Sequence, residues 1–370
     1  MTDHLMITGR YVRVVVIFFL TWMLAACGAP QAADTRAAPS STEAPTSSAV
    51  PSSEEAADAP APAVQPALPV AAEAGADSTG EAAPQLPATV IDLNGQTVTV
   101  ESVERIVSLT GDITEIVFAL GMGDYVVGVD SSATYPLDQV KALPNIGYQR
   151  RLNAEGILSL NPTLVIGDEA AGPPEVLAQL QTAGVPVALV ADPPTLDSPA
   201  QKTHFVAQAL GVPQRGEALA AELDATFTTA QSMLEQATSP QPRVLFLYLR
   251  GSEVQHVAGT NTSADVIISA AGGINAGAEV GIDGFKPLSP ETLVAAQPDV
   301  FLVLTKGLES VGGIEGLLQI PGMADTPAGQ QRRIVDFDDL YLLGMGPRTG
   351  LALQELVVTF HPELATTGRP

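Results

Sequence analysis

A chain of 370 residues holds enough material for two domains of ordinary size. It carries 17 Lys and Arg against 41 Asp and Glu, and a net charge of -24 argues against nucleic acid or an anionic membrane surface as partner. A single cysteine, Cys27, excludes an intramolecular disulfide and a cysteine-rich metal site.

The first element is an address. Arg10 and Arg13 precede the apolar run Val14 to Ala26, and Cys27-Gly28 follows. A charged start, about a dozen apolar residues and small residues at the cut describe a signal peptide. The run falls short of the roughly 20 residues of a membrane span. Leu24-Ala25-Ala26-Cys27 resembles the bacterial lipobox, where the thiol is acylated and the cysteine becomes the new N-terminus. That resemblance implies a lipoprotein leader over residues 1–27. It also implies an extracytoplasmic protein held to the outer face of the cytoplasmic membrane by a lipid on Cys27. Residues 28–87 are Ala, Pro, Ser, Thr and Glu with few large apolar side chains, so they cannot bury enough surface to offset their ordering entropy. They read as a disordered tether with a mean reach of roughly 40–45 Å.

From residue 88 the composition turns globular. Val90 to Val100 holds two β-runs around Asn94-Gly95, a hairpin signal. Apolar strands then alternate with helical stretches: Arg105–Leu109, Tyr125–Val129, Leu164–Gly167 and Pro186–Val190, then Arg243–Leu249, Val300–Thr305 and Arg333–Phe337. Continuous β-branched runs between helices indicate two-sided, mostly parallel sheets. The halves repeat. The segment from Leu152 (LNAEGILSLNPTLVI) faces that from Leu288 (LSPETLVAAQPDVFL) without gaps, as expected of duplicated domains. The fold class is therefore α/β, with two Rossmann-like lobes, 88–197 and 241–370. The helical stretch 198–240, broken at Gly211-Val212-Pro213, serves as the connecting helix. Two such lobes create a cleft at the carboxyl ends of their strands, where small molecules bind.

Signals for catalysis are scarce. There is no P-loop, HExxH, GxSxG or kinase set, so energy for any transport must come from a separate ATPase. Gly344 to Gly350 (GMGPRTG) approaches GxGxxG but places Thr349 where the third glycine belongs. Such a loop either presents N–H groups to an anion or is an ordinary turn. His204 and His361 are assigned to structure. Asn153 and Ser289 read as N-caps, with Ala154 and Pro290 at the first helical position. Glu155 and Glu291 then fall in the first turn, where the helix dipole favours a carboxylate.

Residues 103–361 resemble the binding proteins of haem, siderophore and cobalamin importers, periplasmic binding proteins whose lobes are joined by one long helix. The resemblance is carried by RIVSLTGDITEIVFALG from Arg105, NIGYQRRLNAEGILSLNPTLVIG from Asn145, AGTNTSADVIISAAGGINA from Ala258 and KPLSPETLVAAQPDV from Lys286. Gly147-Tyr148-Gln149-Arg150 and Gly346-Pro347-Arg348-Thr349 point to the haem branch. There the tyrosine is the axial ligand of haem iron, which makes Tyr148 the expected metal ligand. A free phenol has a pKa near 10, and bound ferric iron stabilises the phenolate. Arg150, two residues on, shares a side with Tyr148 in an extended chain and is placed to donate to the phenolate. The resemblance further implies His256 near the cleft as a second contact. Tyr341 and Arg348 fall in the second ligand-facing segment, with Arg348 suited to a haem propionate. Glu155 and Glu291, one per lobe, are implied to dock onto arginines of an ABC permease. The reading is capture and delivery of haem without catalysis. A ferric siderophore or cobalamin on the same fold and a lipid-anchored extracellular hydrolase stand as alternatives.

Overall fold

The computed structural model describes residues 83–367. The leader, Cys27 and residues 28–82 of the expected tether lie outside them.

In the N-terminal lobe, β1 (Ala88–Ile91) and β2 (Thr97–Val100) pair antiparallel around the Asn94-Gly95 turn. Asp92 closes that turn, its Oδ1 accepting from the backbone N–H groups of Asn94 and Gln96 at 2.9 and 2.8 Å. The sheet proper is four parallel strands in the order β4-β3-β5-β6: β3 (Ile106–Ser108), β4 (Val126–Val129), β5 (Leu164–Asp168) and β6 (Val187–Val190). Every residue of β5 and β6 is buried. Alternation divides them between two cores: Leu164, Ile166 and Ala188 face one way, Val165, Val187 and Leu189 the other. That two-sided burial is why these strands read as unbroken apolar runs.

The C-terminal lobe carries β7 (Arg243–Arg250), β8 (Val254–Ala258), β9 (Ile274–Asn275), β10 (Phe285–Pro287), β11 (Val300–Leu304) and β12 (Ile334–Phe337). Their order is β10-β8-β7-β11-β12, with β9 beside the start of β7. β7, β11 and β12 run parallel, whereas β8 and β10 are antiparallel additions at one edge. The sequence reading found the three parallel strands and missed β8 and β10, which are short; β8 is buried only at Val257 and Ala258, and β10 is exposed throughout. This sheet too separates two cores, with Val244 and Phe246 on one face and Leu245 and Leu247 on the other.

The stretch expected as one broken connector resolves into two helices with different duties. Ser198–Ala209 belongs to the N-terminal lobe, where Val206 and Ala207 enter the core. Pro213–Leu234 has 22 residues, about 33 Å of helix, and touches both lobes. Its Leu219 packs on the N-terminal core, and its Phe227, Ala230 and Leu234 pack on the C-terminal core. The helix Thr349–Phe360 lies against it. A Cβ on Gly350 would stand 1.9 Å from Thr226 Oγ1, so this glycine permits close helix contact. In the preceding loop, Thr349 N–H donates to Gly346 O and Leu351 N–H to Arg348 O. The GMGPRTG segment is thus a packed turn and not an anion cradle.

Candidate functional site

Tyr148 stands on a loop built at the carboxyl end of the N-terminal sheet. Gly147 has φ 96°, a left-handed conformation that favours glycine. Its N–H is fixed by Asn145 Oδ1 at 2.8 Å, and its carbonyl accepts from Ser131 N–H, just beyond β4, at 2.9 Å. On the far side, Gly172 N–H donates to Gln149 O at 2.8 Å and Leu152 N–H donates to Gly172 O at 3.0 Å. The loop is therefore stitched to the segments leaving β4 and β5. Tyr148 itself is 45% exposed. Among the described residues its hydroxyl has no hydrogen-bond partner, nor does the exposed Arg150 guanidinium. The chain here is not extended: Gln149–Arg151 forms a 3-10 turn closed by Arg151 N–H to Tyr148 O at 2.7 Å. The alternation that was to bring Arg150 onto the side of Tyr148 does not apply, and no Tyr148–Arg150 hydrogen bond forms.

His256 lies in mid-strand, opposite Tyr248 on β7 and Pro287 on β10, and is half-buried. It belongs to an aromatic strip that sequence reading missed. Phe285, 44% exposed, meets Tyr248 edge-on at 6.0 Å between ring centroids. Two residues on, Arg250 lies on the same side of a true strand, its guanidinium carbon 4.5 Å from the Tyr248 ring centroid. Its NH2 reaches Asp339 Oδ2 at 2.6 Å, at the carboxyl end of the sheet. Tyr248-Leu249-Arg250 repeats the Tyr-x-Arg spacing of Tyr148-Gln149-Arg150, a signal present in the sequence but read only as strand.

Two expected ligand contacts are corrected. Tyr341 is 1% exposed; its hydroxyl donates to Glu355 Oε1 at 3.0 Å and its ring stacks on Phe337. Burial and the neighbouring Glu355 push its phenol upward, away from phenolate. Arg348 is 3% exposed, and its Nε and NH2 each donate to a different oxygen of Glu115 at 2.9 Å. The guanidinium lies between Tyr135, 3.7 Å from the ring centroid, and Tyr341 at 5.0 Å. A fork already filled by one carboxylate is not offered to a propionate.

This pair belongs to a buried polar floor where the lobes meet. Lys202, fully buried, places Nζ 2.7 Å from Asp112, 2.8 Å from Asp192 and 3.0 Å from the carbonyl of Gly344. Asp112 begins the helix Gly111–Ala119 that follows β3, Asp168 ends β5, and Asp192 follows β6. Burial would lower the Lys202 ammonium, but Asp112 and Asp192 more than reverse that. Burial and the adjacent Asp112 raise Asp168 to about 8, and burial raises Asp130 to about 6. Burial also raises Glu115, opposed by the Arg348 fork. Oxygens of Asp112, Asp168 and Asp192 lie within 4.8 Å of one another, close enough to hold a cation. The Lys202 ammonium supplies that positive charge.

A family model described as periplasmic binding protein matches residues 106–341. The chain belongs to the periplasmic binding protein family. A solved relative, the periplasmic heme-binding protein RhuT from Roseiflexus sp. RS-1 in apo form, is 71% identical over 70% of this chain and 99% of that chain, with a TM-score of 0.69. The periplasmic heme-binding protein BhuT in complex with two hemes is 42% identical, covering 70% of this chain and 98% of its own, with a TM-score of 0.66. In Bacillus subtilis, the ABC transporter substrate-binding lipoprotein YvrC is 26% identical over 75% of this chain and 86% of that protein.

For a periplasmic binding protein the remaining residues fall into place. Asn153 Oδ1 accepts from Gly156 N–H at 3.1 Å and Ser289 Oγ from Thr292 N–H at 3.2 Å, so both expected N-caps form. Glu155 and Glu291 follow them, exposed, one on each lobe. The AGTNTSAD segment is structural: Thr262 caps the helix Ser263–Ala270, and Asn275 ties Gly259 to Asp265. His361 pairs with Ser239 Oγ at 2.8 Å, before the start of β7 and so at the opposite end of the sheet from the carboxyl edge. That serine–histidine pair gives the hydrolase alternative no support. Among the described residues no helix is long and apolar enough to cross a membrane.

Proposed function

We propose that this periplasmic binding protein captures haem between its lobes and delivers it to the permease of an ABC importer. The observation that carries the reading is Tyr148: an exposed phenol without a partner, on a loop fixed from both sides at the carboxyl end of a parallel sheet. A tyrosine spent on packing would be buried, as Tyr341 is. Tyr148 would bind the ferric iron as phenolate, the metal charge supplying the stabilisation that a phenol near pKa 10 lacks in water. Arg150 and Arg151 on the same turn offer positive charge to the propionates. Tyr248, His256 and Phe285 give the other lobe an aromatic surface suited to a flat macrocycle, with His256 the available nitrogen ligand. The likeness to the heme-binding proteins RhuT and BhuT supports this cargo.

Delivery follows from the remaining exposed chemistry. Glu155 and Glu291 would meet arginines of a two-fold permease, and the separate ATPase would drive release. Cys27 would carry the lipid, in keeping with the lipoprotein relative. The test is a hemin titration of the full chain followed in the visible spectrum. The expected wild-type spectrum is high-spin ferric with a tyrosinate-type charge-transfer band, lost in Tyr148→Phe. An unchanged spectrum in the variant would remove Tyr148 from the ligand role. Binding of cyanocobalamin in place of hemin would change the cargo.

A further inference from the structure

The lobes are joined by the helix Pro213–Leu234 and by the buried floor, and the floor holds two separate charged ties between them. One runs from Glu115, on the N-terminal helix Gly111–Ala119, to Arg348 of the C-terminal lobe. The other runs from Lys202, on the N-terminal helix Ser198–Ala209, to the carbonyl of Gly344. Both end on the five residues Gly344–Arg348. Asp112 and Glu115 stand one turn apart on the same helix, so a single helix face holds Lys202 with one carboxylate and Arg348 with the other. Tyr135 from the N-terminal lobe and Tyr341 from the C-terminal lobe flank the Arg348 guanidinium.

We infer that Glu115, Arg348 and Lys202 are positioning residues that set the distance between the lobes, and with it the width of the cleft. Moving the lobes apart would strip both oxygens of Glu115 from their donors, leave the Gly344 carbonyl without Lys202, and admit water to an ammonium with no exposed surface. Among the described residues Glu115 and Lys202 have no other hydrogen-bond partner in the opposite lobe, and Arg348 would lose the Tyr135 ring together with Glu115. The ties therefore favour one spacing over a continuum, and a slot of fixed width selects a thin cargo over a thick one. The step from spacing to cargo rests on the haem reading; the spacing does not.

The experiment is a pulsed dipolar distance measurement on the full chain. Cys27→Ser leaves the introduced thiols as the only ones, and spin labels are attached at Gln179→Cys and Ala324→Cys, exposed sites on the two lobes. The parent is expected to give one narrow distance. Glu115→Gln with Arg348→Met removes the charges as a pair, so that no lone charge stays buried. It is expected to keep the circular dichroism of the parent, broaden the distance distribution about two-fold and speed hemin dissociation about ten-fold. Should that variant fail to fold, Arg348→Lys, which keeps the charge but not the fork, is expected to broaden the distribution as well. A folded variant of either kind with the parental distribution overturns the inference. If the parent binds no hemin, the haem reading falls, while the distance result still decides the role of the ties.

Discussion

Tyr148 and Arg348 come from two motifs that point to the same ligand, yet they lie at opposite extremes: one 45% exposed without a partner, the other 3% exposed with its fork filled. Their surroundings explain the difference. Tyr148 lies on a loop whose backbone is tied to the segments leaving β4 and β5, while its side chain makes no hydrogen bond among the described residues. Arg348 lies on a loop between two helices of the C-terminal core and faces a carboxylate from the other lobe. Rim chemistry remains available to a ligand, whereas floor chemistry is consumed in holding the lobes together.

That contrast breaks most sharply under truncation. Glu115→Ala would leave the Arg348 guanidinium buried and unpaired, and is expected to cost about 3–5 kcal/mol in denaturant unfolding. Tyr148→Phe should move the same midpoint by no more than about 0.5 kcal/mol while abolishing the tyrosinate spectrum. Equal losses of stability in the two variants would erase the distinction between rim and floor.

A smaller effect follows from pH. Asp168 is raised from the ordinary carboxylate range to about 8, by burial first and by Asp112 second. The folded chain therefore holds a proton that the unfolded chain releases near pH 4. Stability from this group is fully present below that point and is lost as pH rises toward 8. Urea unfolding at pH 5 and pH 8 should show the lower midpoint at pH 8, and Asp168→Asn should narrow the gap. A gap unchanged by Asp168→Asn would place the proton elsewhere, with Asp130 at about 6 the next group to replace.

The smallest expected change in the isolated protein belongs to the outer faces. Glu155→Ala with Glu291→Ala removes exposed charges from two capped helix starts, where solvent screens the helix dipole, and is expected to leave the unfolding midpoint close to that of the parent. Hemin affinity should stay the same while uptake through the permease falls. A large loss of affinity would move these carboxylates from docking into the cleft.

The part of the fold legible in the sequence was the part with local causes. β5, β6 and β11 announced themselves because burial on both faces demands apolar residues at nearly every position, Asp168 at the end of β5 being the exception. The caps at Asn153 and Ser289 were readable because a cap is a contact three residues long. Tyr148 was readable through its motif, while the conformation around it was not, since the 3-10 turn depends on bonds to Gly172 and Ser131 in other loops. The floor was illegible for a stronger reason. Glu115 and Arg348 are 233 residues apart, and neither carries any local mark of the other. An acidic pair inside the otherwise apolar helix Gly111–Ala119 was the one available sign that a buried cation had to lie opposite.

Coordination of haem iron by the phenol oxygen of Tyr148 is probed by resonance Raman spectroscopy of the hemin-loaded chain prepared with ring-deuterated tyrosine. Iron–phenolate modes that shift with the label and vanish in Tyr148→Phe are the expected result. A hemin complex with no tyrosine-sensitive mode, or with one that survives Tyr148→Phe, would contradict it.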